Sequence, residues 1–223
     1  MSIATDFQAI GQRLETKWVN EQWAESRRII SRYRIKLREA IEAGFAQKQF
    51  QRYQRPGVLD PQAQHDLAMR IAASRHFSKL VPNIFRVFLV DMTEAKHRAA
   101  ENIYRQVSAE IADAYTRNTP DGVKFEPVVN RFDIAALKQD RYEGVLYGEA
   151  IKFLMRDLPA KIRAQVNRVI TESGTSAVAQ RQLLDTYQGM MNSLEGKLEL
   201  TFRQFMLSAY KIAERDMTGL IRL

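Results

Sequence analysis

The chain has 223 residues, 45% hydrophobic and 27% charged, the balance of a folded globular protein, which excludes disorder over most of its length. It contains no cysteine, which removes disulfides, thiolate metal sites and cysteine nucleophiles together and fits a reducing compartment. The net charge is +8: residues 1–55 hold 11 Lys/Arg against 6 Asp/Glu, and residues 56–223 hold 23 against 20, so the basic excess falls mainly on the first quarter.

Met1 to Thr16 contains Asp6 and Glu15 and lacks an apolar core of signal-peptide length. The most apolar stretch, Ile84 to Val90, is short and contains Arg86, whereas a membrane span needs about 20 mostly apolar residues. The expected location is therefore cytoplasmic, or within a particle assembled in the cytoplasm.

Residues 3–50 are predicted to form one long helix, or two in line. Phe7, Ile10, Leu14 and Trp18 step by three or four, and Ile30, Tyr33, Leu37, Ile41 and Phe45 continue the stripe. Gly11 and Gly44 weaken this helix by about 1 kcal/mol each without ending it. Arg32 to Arg38 alternates basic and apolar residues, which is also a strand pattern, but the helical flanks decide for helix. Trp18 and Trp23 fall on different faces, one in the core and the other a packing contact.

Arg55-Pro56-Gly57 is a break. Asp60 is then an N-cap with Pro61 at the first helical position, opening a short helix to about Leu80 that Pro82-Asn83 ends or kinks. A third helix is predicted from Ile84 to Arg117, with the stripe Phe85, Phe88, Met92, Ala95, Ala99, Ile103, Val107, Ile111 and Ala114. Asn118 to Arg131 is the irregular segment: Pro120-Asp121-Gly122 marks a turn, and Val123 and Phe125 suit a short extended piece limited by Pro127. Helix is expected again from Ile134, capped by Asp133, to about Asp157. Pro159 starts or kinks the next stretch, capped by Asp157 and reaching Glu172. Gly174 ends it and Thr175 or Ser176 caps the last helix.

That last helix is the most informative feature. Leu184, Tyr187, Met191, Leu194, Leu198, Phe202, Phe205, Ala209 and Ile212 form one stripe, and no proline interrupts Ser176 to Leu223. Such a helix runs roughly 70 Å at 1.5 Å per residue. Its four-four steps from Leu194 through Leu198 to Phe202 are a stutter that locally unwinds a supercoil. Met190, Met191, Met206 and Met217 sit on it as core filling or as an adaptable partner surface.

The expected fold is all-α: an elongated helical bundle with three unusually long helices and at most one short extended segment near 119–131. Two domain divisions are consistent with it. Either residues 1–55 form a long basic helix beside a bundle body at 56–223, or the chain is a single domain with a loop at 118–132.

Catalytic signatures are weak. Glu94-x-x-His97 with Glu101 shares one helix face, as in di-iron carboxylate bundles, but those need a second such element and two more carboxylates. The residues three before His65 and His76 are Gln62 and Ala73, so no second element exists, and an ordinary charge network with Lys96 and Arg98 is the simpler reading. His65 with Asp66 lacks a nucleophile of fixed geometry. Gly144 and Gly148 match no phosphate-binding signature and are flanked by Glu143 and Glu149. No catalytic residue, metal site, cofactor or small-molecule substrate is assigned.

The partner signal is basic. Ser26 to Arg38 holds Arg27, Arg28, Arg32, Arg34, Lys36 and Arg38 and no acidic residue. Beyond it, Lys48, Arg52 and Arg55 interleave with Phe50 and Tyr53, a pattern that can meet phosphates and bases. The same helix carries Ile29, Ile30, Tyr33, Ile35 and Leu37, which need burial, so a solvated face of a packed helix is the plainer alternative. The expected function is a non-enzymatic assembly protein, a component of a virion, secretion machine or other multi-subunit particle, with the terminal stripe as an oligomer-packing face. The alternative is a helical nucleic-acid-binding protein that uses Arg27 to Arg55.

Overall fold

In the computed structural model the described residues are 3–47, 60–119, 124–125, 141–142, 145–146, 152, 155–173 and 176–221. Among them the fold is all-α, with one two-residue strand pair. Helix α1 is Ile3–Phe45, α2 Pro61–Ala73, α3 Val81–Asn118, α4 Leu158–Glu172 and α5 Ser176–Ile221. Helices α1, α3 and α5 span 43, 38 and 46 residues, far beyond the usual length of about 11–12. Nothing in any of them stops the three-and-four stepping of apolar residues, which is why each continues. No described helix is long and apolar enough to cross a membrane.

The chain divides into two compact units. The first comprises residues 1–26, 93–148 and 197–223, and the second residues 27–92 and 149–196. The division falls inside each of the three long helices.

In the second unit α1 and α3 run antiparallel. Tyr33 meets Phe88 edge-on at 5.6 Å between ring centroids, and Phe45 meets Phe77 at 6.0 Å. Asp60 caps α2 as its sequence requires: in extended conformation, its carboxylate accepts from the Ala63 amide at 2.8 Å, with Pro61 next. The apolar side of α2, Leu67, Ala68, Ile71 and Ala72, is buried, as are Leu158, Ile162, Val166, Val169 and Ile170 of α4, which packs against it. Gln64 of α2 donates its amide to the carbonyls of Ile170, Thr171 and Ser173, satisfying acceptors that the end of α4 leaves open.

Two boundaries differ from the sequence reading. The break after α2 falls at Ser74, where ψ is 153°, and not at Pro82. A π-helical turn, His76–Leu80, follows, and Val81 bonds to the His76 carbonyl five residues back. The wider turn leaves room for the Pro82 ring, which an α-turn would press against the carbonyl four residues earlier. Its Phe77 is fully buried, and Gln47 contacts His76 Nδ1 at 2.5 Å. Asp157 does not cap α4: it has near-helical angles, and its carboxylate faces Arg156 Nε at 3.4 Å.

The first unit is built on Leu14 and Trp18 of α1, Ala99, Ala100, Ile103, Tyr104, Val107, Ile111 and Ala112 of α3, and Ala213 of α5. Three alanines among the α3 positions let neighbouring helices approach closely. Trp18 donates its indole N–H to Gln106 Oε1 at 3.0 Å, and Arg13 pairs with Glu110. Thr116 Oγ1 accepts from the Phe125 amide at 3.0 Å, and Phe125 lies against Tyr115. The predicted helix over 134–157 is not continuous: strand β1, Arg141–Tyr142, pairs antiparallel with β2, Val145–Leu146.

A basic helix face as the candidate functional site

Three apolar side chains set the orientation of α1. Ile29, Tyr33 and Leu37 are 2%, 1% and 0% exposed, each one turn after the last, so their face is committed to the core of the second unit. Arg27, Arg28, Arg32 and Arg38 lie away from that face and Lys36 beside it, three residues after Tyr33; all five are exposed. Arg34 is half-buried, and its Nε has no hydrogen-bond partner among the described residues. The strand-like alternation over 32–38 is thus a helix whose Ile35, 58% exposed, lies among arginines in solvent. Lys48, Arg52 and Arg55 lie outside the described residues.

Asp91, on another helix, contacts this segment. Asp91 of α3 accepts from the Tyr33 hydroxyl at 2.6 Å and lies 3.7 Å from Arg32 Nη1. Burial first, and then this bond to a carboxylate, push the Tyr33 phenol from 10.0 up to about 12. Lys36 Nζ sits 4.7 Å above the Tyr33 ring. Sequence reading had no means to find Asp91, which is 58 residues from Tyr33.

The charge asymmetry becomes sharper when counted by unit. The first unit's residues include 15 Lys/Arg and 16 Asp/Glu, a net of −1, whereas the second unit's include 19 and 10, a net of +9. Exposed cations on its other elements add to it: Arg70 on α2, Lys79 on the π-turn, Arg86 on α3, and Lys161, Arg163 and Arg168 on α4. Within this unit residues 27–55 hold 9 Lys/Arg against 2 Asp/Glu and the remaining residues 10 against 8, so most of its excess lies in the first quarter of the chain.

The terminal stripe takes a different role from the expected one. Tyr187, Met191 and Leu194 are buried in the second unit and Leu198 in the first, so within the single chain these four are core and not an open oligomer-packing face. Leu184 is half-buried. The buried row begins instead at Ala179 and Leu183, one step of four before Tyr187, whose ring meets Phe85 edge-on at 5.9 Å. Phe202, Phe205, Ala209 and Ile212 lie on α5 outside the described side chains. Trp18 is core, whereas Trp23 is 56% exposed.

Glu94 is exposed, His97 half-buried, and Glu101 accepts from Arg105 at 2.6 Å one turn on. Among the described residues no three His, Cys, Asp or Glu side chains are placed to hold a metal ion. No protein-family model, curated protein or solved structure matches the chain.

Proposed function

We propose that this chain is a non-enzymatic assembly protein that docks, through the outer face of α1, onto a negatively charged surface within a multi-subunit particle. The observation that supports this reading is the display of Arg27, Arg28, Arg32 and Arg38 on the side of a helix that faces away from the core. A rigid helix holds these cations in fixed register, so binding sacrifices less conformational freedom than it would on a loop. Residues 27–38 contain six Lys/Arg and no Asp/Glu, which makes the face positive. Complementary potential gives such a face fast encounter and rejects positively charged competitors.

The test uses the full chain in cells that express it naturally. A photo-crosslinking residue replaces exposed Ile35, and a second chain carries it at exposed Val178 on α5. The position-35 chain is expected to sediment with a high-mass fraction and to crosslink to a component of that fraction. That yield should drop when Arg27, Arg28 and Arg38 are changed to Gln, and position 178 should not reproduce it. A chain that sediments as a free monomer at low salt and crosslinks to nothing from position 35 refutes the reading.

A further inference from the structure

The docking face described above invites the question of what occupies it; the answer rests on that docking reading. We infer that the occupant is the phosphate backbone of double-stranded DNA, with α1 lying in its major groove.

A second copy of the chain is a poor occupant. Its first unit is nearly neutral at −1 and its second unit is +9, so neither offers a complementary negative body. The excess is concentrated in residues 27–55, which hold 9 Lys/Arg against 2 Asp/Glu; the rest of the unit holds 10 against 8. A row of cations along one helix suits an extended polyanion, whose binding is strengthened by counterion release.

The arrangement around the helix narrows the choice further. At 100° per residue, exposed Ser31 and Ile35 mark the middle of the outward face. Arg27 and Arg38 fall on one side of that line, and Arg28 and Arg32 on the other. A helix about 10–12 Å across fits a DNA major groove about 12 Å wide, which places the small Ser31 and the apolar Ile35 towards the base edges and arginines towards both phosphate walls. The deep, narrow major groove of RNA does not admit a helix. Four of the five exposed cations are arginines, whose forked guanidinium pairs with phosphate through two bonds. The aromatic residues of this unit's part of α1, Tyr33 and Phe45, are buried. Exposed Glu39 and Glu42 on the same outward side bound the strip just beyond Arg38.

Binding of the full chain to a fluorescein-labelled 20-base-pair DNA duplex, followed by anisotropy from 50 to 300 mM NaCl, tests this. Four phosphate contacts predict a slope of log K against log salt of about −3.6. Arg32 is left in place because it holds Asp91. R27Q/R28Q/R38Q should weaken binding roughly tenfold or more at 100 mM NaCl and reduce the slope by about 2.7, whereas the charge-matched K161Q/R163Q/R168Q should change each by far less. All five exposed α1 and three α4 positions are on the surface, and unchanged urea midpoints confirm that the variants fold. Equal loss in both triple variants overturns the inference, as does an RNA duplex that binds as tightly as DNA. Binding to poly-glutamate or to anionic phosphatidylserine vesicles but not to DNA overturns it while leaving the docking reading standing. No binding to any of these probes at 50 mM NaCl removes both.

Discussion

Changing Tyr33 to Phe removes one hydroxyl from the second unit and leaves the ring, with its edge-on contact to Phe88, in place. That hydroxyl donates to a carboxylate at 2.6 Å from a residue only 1% exposed. A hydrogen bond to a charged partner is worth about 1.5–3 kcal/mol. Asp91 keeps Arg32 and some access to water, so the cost at pH 7 is expected near the middle, about 2 kcal/mol. The pH dependence separates this mechanism from a simple packing defect. The neutral phenol is favoured in the folded chain, where its pKa is about 12 against 10.0 unfolded. Its contribution is therefore fully present below pH 10 and is lost as pH rises from 10 to 12. A difference of two pH units corresponds to about 2.7 kcal/mol in full, and at pH 11 about half of it, roughly 1.4 kcal/mol, has gone. Phenylalanine does not titrate, so the gap between parent and Y33F should shrink by that amount between pH 7 and pH 11. Every other titrating group is shared and cancels in the difference. Urea unfolding followed by circular dichroism at 222 nm at the two pH values measures it. A gap under about 0.5 kcal/mol at pH 7, or one that does not move with pH, refutes the reasoning.

Tyr187 makes the opposite case: its hydroxyl is buried without a hydrogen-bond partner among the described residues, and burial raises its pKa. Y187F should therefore be neutral or stabilise by about 1 kcal/mol in the same urea assay, and a loss above about 1 kcal/mol would reveal an unseen partner. Gly44→Ala would place a methyl 2.7 Å from Phe77 Cε2, against a ring that is fully buried, and should destabilise by about 1–3 kcal/mol despite alanine's better helix propensity. Gly189→Ala on α5 meets nothing within 4 Å and should stabilise by up to about 1 kcal/mol, so equal urea midpoints for the two variants would contradict the packing described at Gly44.

The stripes on α1 and α3 were legible because burial of one helix face repeats every three or four residues over tens of positions, and no local conflict outweighs that sum. Leu14, Trp18, Tyr33, Leu37 and the α3 row from Phe85 to Ala114 are buried accordingly. Asp60-Pro61 was legible because a cap and a proline act within one turn. The hairpin at 141–146 was not: four paired residues are too few for a period to register, and Tyr142, Val145 and Leu146 fit either state. The π-turn was also hidden, since Pro82 announces a disturbance but not that a wider turn upstream absorbs it.

The amino-acid order by itself determined that this chain is made of long helices and that a cluster of arginines lies on one of them. Both are local properties, decided by residues within a turn or two of each other. Tertiary structure decided where the charge resides. Residues 1–26 hold 2 Lys/Arg against 4 Asp/Glu and residues 27–55 hold 9 against 2, and the fold assigns these stretches to different units. It also turned the described part of the terminal stripe inward, onto Phe85 and its neighbours. An apolar row needs cover from water but does not specify whose side chains provide it. That choice depends on contacts a hundred residues apart, which no sequence window contains.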